Sequence, residues 1–312
     1  MAVYTPVSAE EMAELLARYD LGTLVSAKGI AEGVENSNFL IDTTAGRFIL
    51  TLYEKRVDAG DLPFFLKLLD HLADRALPVP RALRDRSGAQ LQTVAGRPAC
   101  LIEFLPGVSV SKPTAAHAYS TGAALGKMHT ALTDFGPTRP NSLGLAGWEA
   151  LAARCGADLD KIAPGLRQRV DEELAWLERS WPASLPKAVI HADVFPDNVL
   201  MRGDTVGGVI DFYFACTEIR AWDVAVTHAA WSFAGDGTRY NAAVGDAILR
   251  GYDDAFGMSD DERTAFPALA RGACLRFLLT RAWDWLNTPA TAIVTRKDPI
   301  AFLRRLEHYA AL

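Results

Sequence analysis

The run His191-Ala192-Asp193-Val194-Phe195-Pro196-Asp197-Asn198, with Ile210-Asp211-Phe212 a short way behind it, holds the groups of this chain best suited to chemistry. Asp193 can accept the proton of an attacking hydroxyl, and Pro196 keeps its loop out of a helix so that the carboxylate can face a cleft. Asn198 and Asp211 offer an amide oxygen and a carboxylate oxygen. These are hard donors of the kind Mg²⁺ prefers while waters or substrate phosphates fill its other positions. A turn at Arg202-Gly203-Asp204 predicts a hairpin that folds Asn198 and Asp211 to within a residue or two of register. A carboxylate able to take a hydroxyl proton would then stand beside two oxygen ligands that share one cation site. Singly, Asp193 and Asp197 would also serve as turn carboxylates and Asn198 as a strand cap; the combination carries the reading. His191 reads as a structural imidazole bonding to backbone behind the loop, and Asp223, after Trp222, as a helix-start carboxylate that caps or braces the loop.

The elements that must hold these residues follow from the hydrophobic pattern. Ala188-Val189-Ile190 reads as a strand leading into the loop, and Val199-Leu200-Met201 and Val206 to Phe212 as the two arms of the hairpin. Around them the chain is helical in period, as in Tyr119 to Leu132, Leu166 to Arg179, Asp223 to Phe233 and Ala265 to Leu286. The N-terminal third differs. Ser8, with Glu11 three residues on, opens a helix carrying Met12, Leu15, Leu16 and Tyr19. Strands follow at Leu24-Val25, Asn38 to Asp42 and Arg47 to Tyr53, then a helix over Asp61 to Ala73 and short strands at 91–94 and 99–104. An α+β protein of two lobes is expected: residues 1–105 with an antiparallel sheet, and residues 106–312, mostly helical and carrying the catalytic loop, with Leu105-Pro106-Gly107 as the linker.

Composition narrows the partners. Among 312 residues, 32 Lys and Arg stand against 38 Asp and Glu, for a net charge of −6. No chain-wide cationic field exists to hold nucleic acid or anionic lipid, so a small molecule is favoured. Cys100, Cys155, Cys216 and Cys274 are dispersed, without CxxC or Cys/His spacing, and read as buried free thiols. The first residues lack a basic and apolar leader, and no apolar run approaches the length that spans a bilayer, so a cytoplasmic protein is expected.

The loop and the later Asp resemble the catalytic machinery of protein-kinase-like phosphotransferases, in which an Asp orients the hydroxyl while an Asn and a later Asp hold magnesium on ATP. That resemblance implies a nucleotide site in the small lobe. Gly29-Ile30-Ala31-Glu32-Gly33 can bring backbone N–H groups near phosphates, with Gly29 and Gly33 permitting close approach, although it is not GxGxxG and an ordinary loop would read the same way. A phosphate-binding lysine is expected on the next long strand, yet Thr51 occupies its place. Lys55, of the same parity, is the candidate, with a solvated surface lysine as the other reading. Glu103 and Leu105, flanking Phe104 at the lobe junction, can offer backbone groups to an adenine edge, or form a plain connector. Phe195 stands where many protein kinases carry a basic residue, which leaves more phosphate charge for magnesium to offset.

More closely, the chain resembles the aminoglycoside phosphotransferase and choline kinase superfamily, and within it the bacterial homoserine kinases, nearly from end to end. The segments that carry this are Gly29 to Phe39 (GIAEGVENSNF), Phe48 to Arg56 (FILTLYEKR), Asp61 to Phe65 (DLPFF), His191 to Asn198, Ile210 to Thr217 (IDFYFACT) and Arg276 to Pro289 (RFLLTRAWDWLNTP). The resemblance implies a bilobal fold and transfer of the γ-phosphoryl of ATP to L-homoserine, giving O-phospho-L-homoserine for threonine synthesis. A zwitterionic acceptor needs a cation for its carboxylate and an acid for its ammonium. Arg281 and Asp284, with Tyr213 beside Asp211, are the candidates, although an Arg and an Asp three apart on a helix also suit a local surface bridge. A kinase for choline, a methylthio-sugar or an aminoglycoside is the enzyme alternative, and a non-catalytic nucleotide-binding regulator the other.

Overall fold

The computed structural model describes residues 4–30, 36–54, 57–288 and 296–312. It resolves into two compact units, one of Met1–Pro106 with Gly208–Tyr213, the other of Gly107–Gly207 with Phe214–Leu312.

The first unit begins with α1 (Ala9–Leu16), whose start is fixed by a capping box. Ser8 Oγ accepts from the Glu11 N–H at 3.2 Å, and the Glu11 carboxylate accepts from the Ser8 N–H at 2.8 Å. Then come β1 (Leu24–Gly29), β2 (Ser37–Thr43), β3 (Gly46–Leu52), α2 (Leu62–Asp74), β4 (Gln92–Val94) and β5 (Arg97–Glu103). The strands form one antiparallel sheet in the order β1-β2-β3-β5-β4. Strand β2 alternates strictly, with Phe39 and Ile41 facing inward. They meet Leu50 and Leu52 of β3, Leu101 of β5, and the Met12, Leu15, Leu16 stripe of α1, making one apolar core. Strand β1 runs on to Gly29, four residues beyond the Leu24-Val25 expected from its apolar content, because Ala27, Lys28 and Gly29 pair with Ile41, Leu40 and Phe39. The Gly208–Tyr213 segment is tied to this unit by the Val209 N–H, which donates to Pro78 O at 2.8 Å.

The second unit contains α3 (Ala115–Ala131), α4 (Leu145–Cys155), α5 (Leu166–Ser180), β6 (Lys187–Ile190), β7 (Val199–Arg202), β8 (Thr205–Val209, whose last two residues fall in the first unit), β9 (Cys216–Ile219), α6 (Arg220–Trp231), α7 (Ala242–Ala255), α8 (Asp260–Asn287) and α9 (Ile300–Ala310). Strands β6 and β9 pair antiparallel, and β7 and β8 form the hairpin. Helix α6 is buried on every side from Ala221 to Trp231 and is the post on which the rest is assembled. Helices α3 and α7 cross at backbone contact. A β-carbon at Gly122 would come within 2.1 Å of Ile248 O, and one at Gly251 within 2.1 Å of Tyr119 O, so only glycine fits at either point. Trp148, Trp181 and Trp222 pack edge-on or tilted against one another where α4, α6 and the end of α5 meet. Among the described residues no helix is long and apolar enough to cross a membrane.

Candidate active site

Strand β6 delivers the chain to His191, and Ala192 then takes a left-handed backbone (φ 64°), which turns the next residue, Asp193, out of line with the strand. A non-glycine residue in that region is strained unless its surroundings hold it there. They do. Asp223, in the first turn of α6 and fully buried, accepts from the His191 N–H at 2.8 Å with one carboxylate oxygen and from the Ala192 N–H at 2.7 Å with the other. His129 Nε2 on α3 lies 3.1 Å from the same carboxylate, and its Nδ1 lies 2.8 Å from the Tyr252 hydroxyl on α7. Burial works against the Asp223 charge, yet the bonds from His129 and the loop backbone hold this carboxyl below the ordinary range. From α8, Arg276 donates to Ala192 O. The loop is therefore clamped on its N–H side by Asp223 and on its carbonyl side by Arg276.

Arg276 is 2% exposed, and among the described residues no carboxylate lies within ion-pair distance of it. Its guanidinium carbon sits 5.1 Å from the Phe214 ring centroid, 5.6 Å from Trp222 and 4.6 Å from Phe277. Burial lowers its pKa, while the charges of Asp193 and Asp223 act in its favour.

Asp193 is partly buried. Its N–H donates to His191 Nδ1 at 3.2 Å, which gives His191 the structural role expected of it. Asn198 Nδ2 donates both to Asp193 O and to Asp193 Oδ2, each at 2.9 Å. The structure thus brings Asp193 and Asn198 together, and with Nδ2 committed to Asp193, Oδ1 is the Asn198 atom left to meet a cation. Burial pushes the Asp193 carboxyl up to about 6; Arg276 opposes this, Asp197 adds to it, and Lys297 and Asn198 oppose it. Phe195 is 9% exposed and packs edge-on against Phe277 at 4.6 Å, so the position anchors the loop to α8 and presents no charge.

Asn198 immediately precedes β7. Asp211 lies just beyond β8, in a left-handed backbone (φ 66°) that ends the strand at Val209, short of the expected Phe212; residues Phe212–Phe214 form a tight helical turn. Asp211 belongs to the sheet-bearing unit, as does Tyr213, which packs edge-on against Tyr53 at 5.3 Å and Phe65 at 5.7 Å. Its hydroxyl lies 3.4 Å from that of Tyr53, and burial pushes the phenol's pKa up.

Of the nucleotide-side candidates, Gly29 closes β1, with the following Ile30 N–H still donating to Asn38 O at 2.8 Å. Gly33 and Lys55 lie outside the described residues. Thr51 is buried, with its hydroxyl donating to Asn38 Oδ1 at 2.7 Å across the β2–β3 pair, so this place is occupied by a cross-strand bond. Glu103 ends β5 and is held by Arg81, whose N–H donates to the Glu103 carboxylate at 3.2 Å and whose carbonyl accepts from the Glu103 N–H at 3.0 Å. Leu105 follows it, partly buried.

Arg281 and Asp284 both lie on α8. Arg281 stacks 4.5 Å from the Phe302 ring centroid and donates to Asp298 O at 3.2 Å. Burial, with Arg305 nearby, pushes its pKa down to about 10. Lys297, from the segment that leads into α9, pairs with Asp197 of the Asp193 loop at 3.2 Å. Spacing and period in the sequence do not mark Arg276, His129, Tyr252 or Lys297 as site residues. For Arg276 a signal existed: it is the one charge in the apolar run Ala273-Cys274-Leu275-Arg276-Phe277-Leu278-Leu279, where an arginine must be buried and therefore partnered. Among the described residues no group of three or more His, Cys, Asp or Glu side chains gathers as a metal site.

Residues 26–265 match the model of the phosphotransferase enzyme family. The chain is 54% identical over 311 residues to a homoserine kinase of Zymomonas mobilis subsp. mobilis, covering 99% of this chain and 97% of that one. It is 52% identical over 312 residues to a homoserine kinase of Xanthobacter autotrophicus, covering 100% and 97%. Among solved structures, the amicoumacin kinase hAmiN, in complex with AMP-PNP, Ca²⁺ and Ami, superposes with a TM-score of 0.72 at 13% identity over 97% of this chain and 93% of that one. A choline kinase from Cryptosporidium parvum superposes with a TM-score of 0.68 at 13% identity over 97% and 95%. At such identities the superpositions speak for the fold, an antiparallel sheet unit followed by a helical one, whereas the full-length identities above 50% speak for kinship. The chain belongs to the phosphotransferase enzyme family, in its homoserine kinase branch.

Proposed function

We propose that the protein transfers the γ-phosphoryl group of ATP to the side-chain hydroxyl of L-homoserine, with Asp193 as the group that orients the hydroxyl and receives its proton. The observation that carries the residue assignment is the pair of hydrogen bonds that Asn198 Nδ2 donates to Asp193 O and Oδ2 on a loop clamped by Asp223 and Arg276. A carboxylate that must find one hydroxyl among many waters gains most from being fixed in this way.

As the homoserine oxygen attacks the γ-phosphorus, the O–H proton passes to an Asp193 oxygen and the bond from phosphorus to the bridging oxygen of ADP breaks. A carboxyl raised to about 6 holds a proton better than an ordinary aspartate while remaining mostly ionised at neutral pH. The amide oxygen of Asn198 and the carboxylate of Asp211 fit Mg²⁺ by donor chemistry, and the ion would supply charge neutralisation on the transferring phosphates. Gly29 and Gly33 would bring backbone to the phosphates, Lys55 would add a cation there, and Glu103 and Leu105 would meet the adenine edge. Tyr213, Arg281 and Asp284 are assigned to the acceptor side, Arg281 lending positive potential from within α8. The product feeds threonine formation, and we place the enzyme in the cytoplasm.

The test is Mg²⁺-dependent ADP release with L-homoserine, choline, methylthioribose, kanamycin or no acceptor. Turnover selective for homoserine, with O-phosphohomoserine identified by phosphorus NMR, is the expected result. Selectivity for another alcohol would overturn the substrate, and nucleotide binding without turnover would make the protein a regulator.

A further inference from the structure

We propose that Asp197 and Lys297 are the specificity pair for the acceptor's charged carbon, Asp197 taking an α-ammonium group and Lys297 an α-carboxylate. This rests on the reading of Asp193 as the residue that meets the acceptor hydroxyl.

An α-amino acid bearing a terminal hydroxyl carries both its charges on a carbon three bonds from the hydroxyl oxygen. A site built for it therefore needs one anion and one cation close to Asp193 and open to solvent. Among the charges that act on Asp193, Arg276 is sealed behind the loop and committed to Ala192 O, and Arg281 is stacked on Phe302 and committed to Asp298 O, whereas Asp197 and Lys297 have side chains 58% and 56% exposed. Asp197 stands on the catalytic loop itself. Lys297 reaches it at 3.2 Å from the segment before α9, so an anion and a cation stand side by side there, each within reach of an opposite charge.

The placement of Lys297 is built from both flanks. On one side, Arg296 donates to Thr288 O at 2.8 Å. On the other, the Asp298 carboxylate accepts from the N–H of Ile300, the first residue of α9, at 2.9 Å, and its carbonyl accepts from Arg281, which is stacked on Phe302. Arg281 thus fixes the segment from which Lys297 extends. An exposed pair of this kind adds little to stability and exchanges partners readily, since each ion loses little on changing one counter-ion for another. A zwitterion inserted between the two carboxylate and ammonium groups replaces one pair with two. A neutral alcohol, or a cation without a carboxylate, does not.

The test compares kcat/KM for L-homoserine with that for 3-aminopropan-1-ol, which lacks the carboxylate, and 4-hydroxybutanoate, which lacks the ammonium. Inhibition constants replace kcat/KM where an analogue is not phosphorylated. Lys297→Met should reduce the preference for homoserine over 3-aminopropan-1-ol by about tenfold or more and leave the preference over 4-hydroxybutanoate within about threefold. Asp197→Asn should do the reverse, and KM for ATP should hold in both. Lys297→Arg and Asp197→Glu should restore the preferences. A merely structural role would scale all three compounds together, so unchanged ratios in both variants, or a change carried by KM for ATP, would overturn the proposal. Asp193→Asn is measured alongside. If it turns over like the parent, the reading of the site has failed; if it is inactive while the ratios stay fixed, only the present inference has failed.

Discussion

Arg276→Met separates what this buried cation does for stability from what it does for the loop. The replacement is similar in length and apolar, and it enters a chamber walled by Phe214, Trp222 and Phe277. It removes the bond to Ala192 O, leaving a buried carbonyl unsatisfied at about 1–3 kcal/mol, and it removes cation–π contacts of order 1 kcal/mol each. Against that, burying a guanidinium with no carboxylate within ion-pair distance among the described residues, and with Nε unbonded there, costs several kcal/mol that methionine does not incur. The terms oppose each other, and the net change in unfolding free energy should lie within about 2 kcal/mol of zero. Activity should not balance in the same way. Without Arg276, Ala192 loses its carbonyl-side clamp, and a left-handed alanine relaxes toward ordinary backbone, taking Asp193 with it. A displacement of about 1 Å at a reacting group costs on the order of a hundredfold, so kcat should fall by about 10–100-fold while KM for ATP holds. Urea unfolding followed by tryptophan fluorescence gives the first quantity and coupled ADP release the second. An unchanged kcat would refute the clamp, and a stability loss above about 4 kcal/mol would show that the cation is a keystone of the fold.

Two further outcomes bear on the packing beneath the site. Burial, with His308 nearby, pushes His228 down to about 4, and its ring faces the Tyr309 hydroxyl at 2.6 Å, Tyr240 at 3.5 Å and the Phe266 ring. The unfolded chain takes up this proton near pH 6.5 and the folded one only near 4, so stability is full above about 6.5 and falls by up to about 3 kcal/mol as the pH drops to 4. His228→Gln should flatten that window in thermal melts at stepped pH, and an unaltered acid slope would contradict the assignment. Gly122→Ala should lower stability by about 2–4 kcal/mol, because the added carbon meets Ile248 O and backbone cannot yield as a side chain can. Equal melting temperatures would show that α3 and α7 can move apart.

The part of the site legible in the sequence is local. His191, Asp193 and Asn198 sit within one loop, and the contacts among them, His191 Nδ1 to the Asp193 N–H and Asn198 Nδ2 to Asp193, span no more than five residues. The role of Asp223 was also readable, since a helix-start carboxylate shortly after the hairpin has few other uses, and it does accept both loop N–H groups. What escaped is what tertiary contact creates. His129 and Tyr252 complete the network from helices far apart in sequence, and no period or spacing links them to Asp223. Helices α4 and α7 were not foreseen, because Gly147, Gly245 and Gly251 interrupt their apolar stripes. At Gly251 the reason is the close crossing with α3, visible only when both helices are in place. Strand β8 ends early because the backbone turns left-handed at Asp211, which the apolar alternation of Val206 to Phe212 does not record. Thr51 departs from the lysine expected there, and its hydrogen bond to Asn38 supplies a physical use for it.

The most direct measurement of the central claim is Mg²⁺-dependent ADP release in the presence of L-homoserine by the parent and by Asp193→Asn, with ATP affinity followed in parallel by calorimetry. An asparagine keeps the shape and can still meet Asn198, but it cannot receive the hydroxyl proton. Turnover should therefore fall by about 10²–10⁴-fold, with the Kd for ATP unchanged within about threefold. A variant that phosphorylates homoserine at close to the parent rate would remove Asp193 from the centre of the reaction.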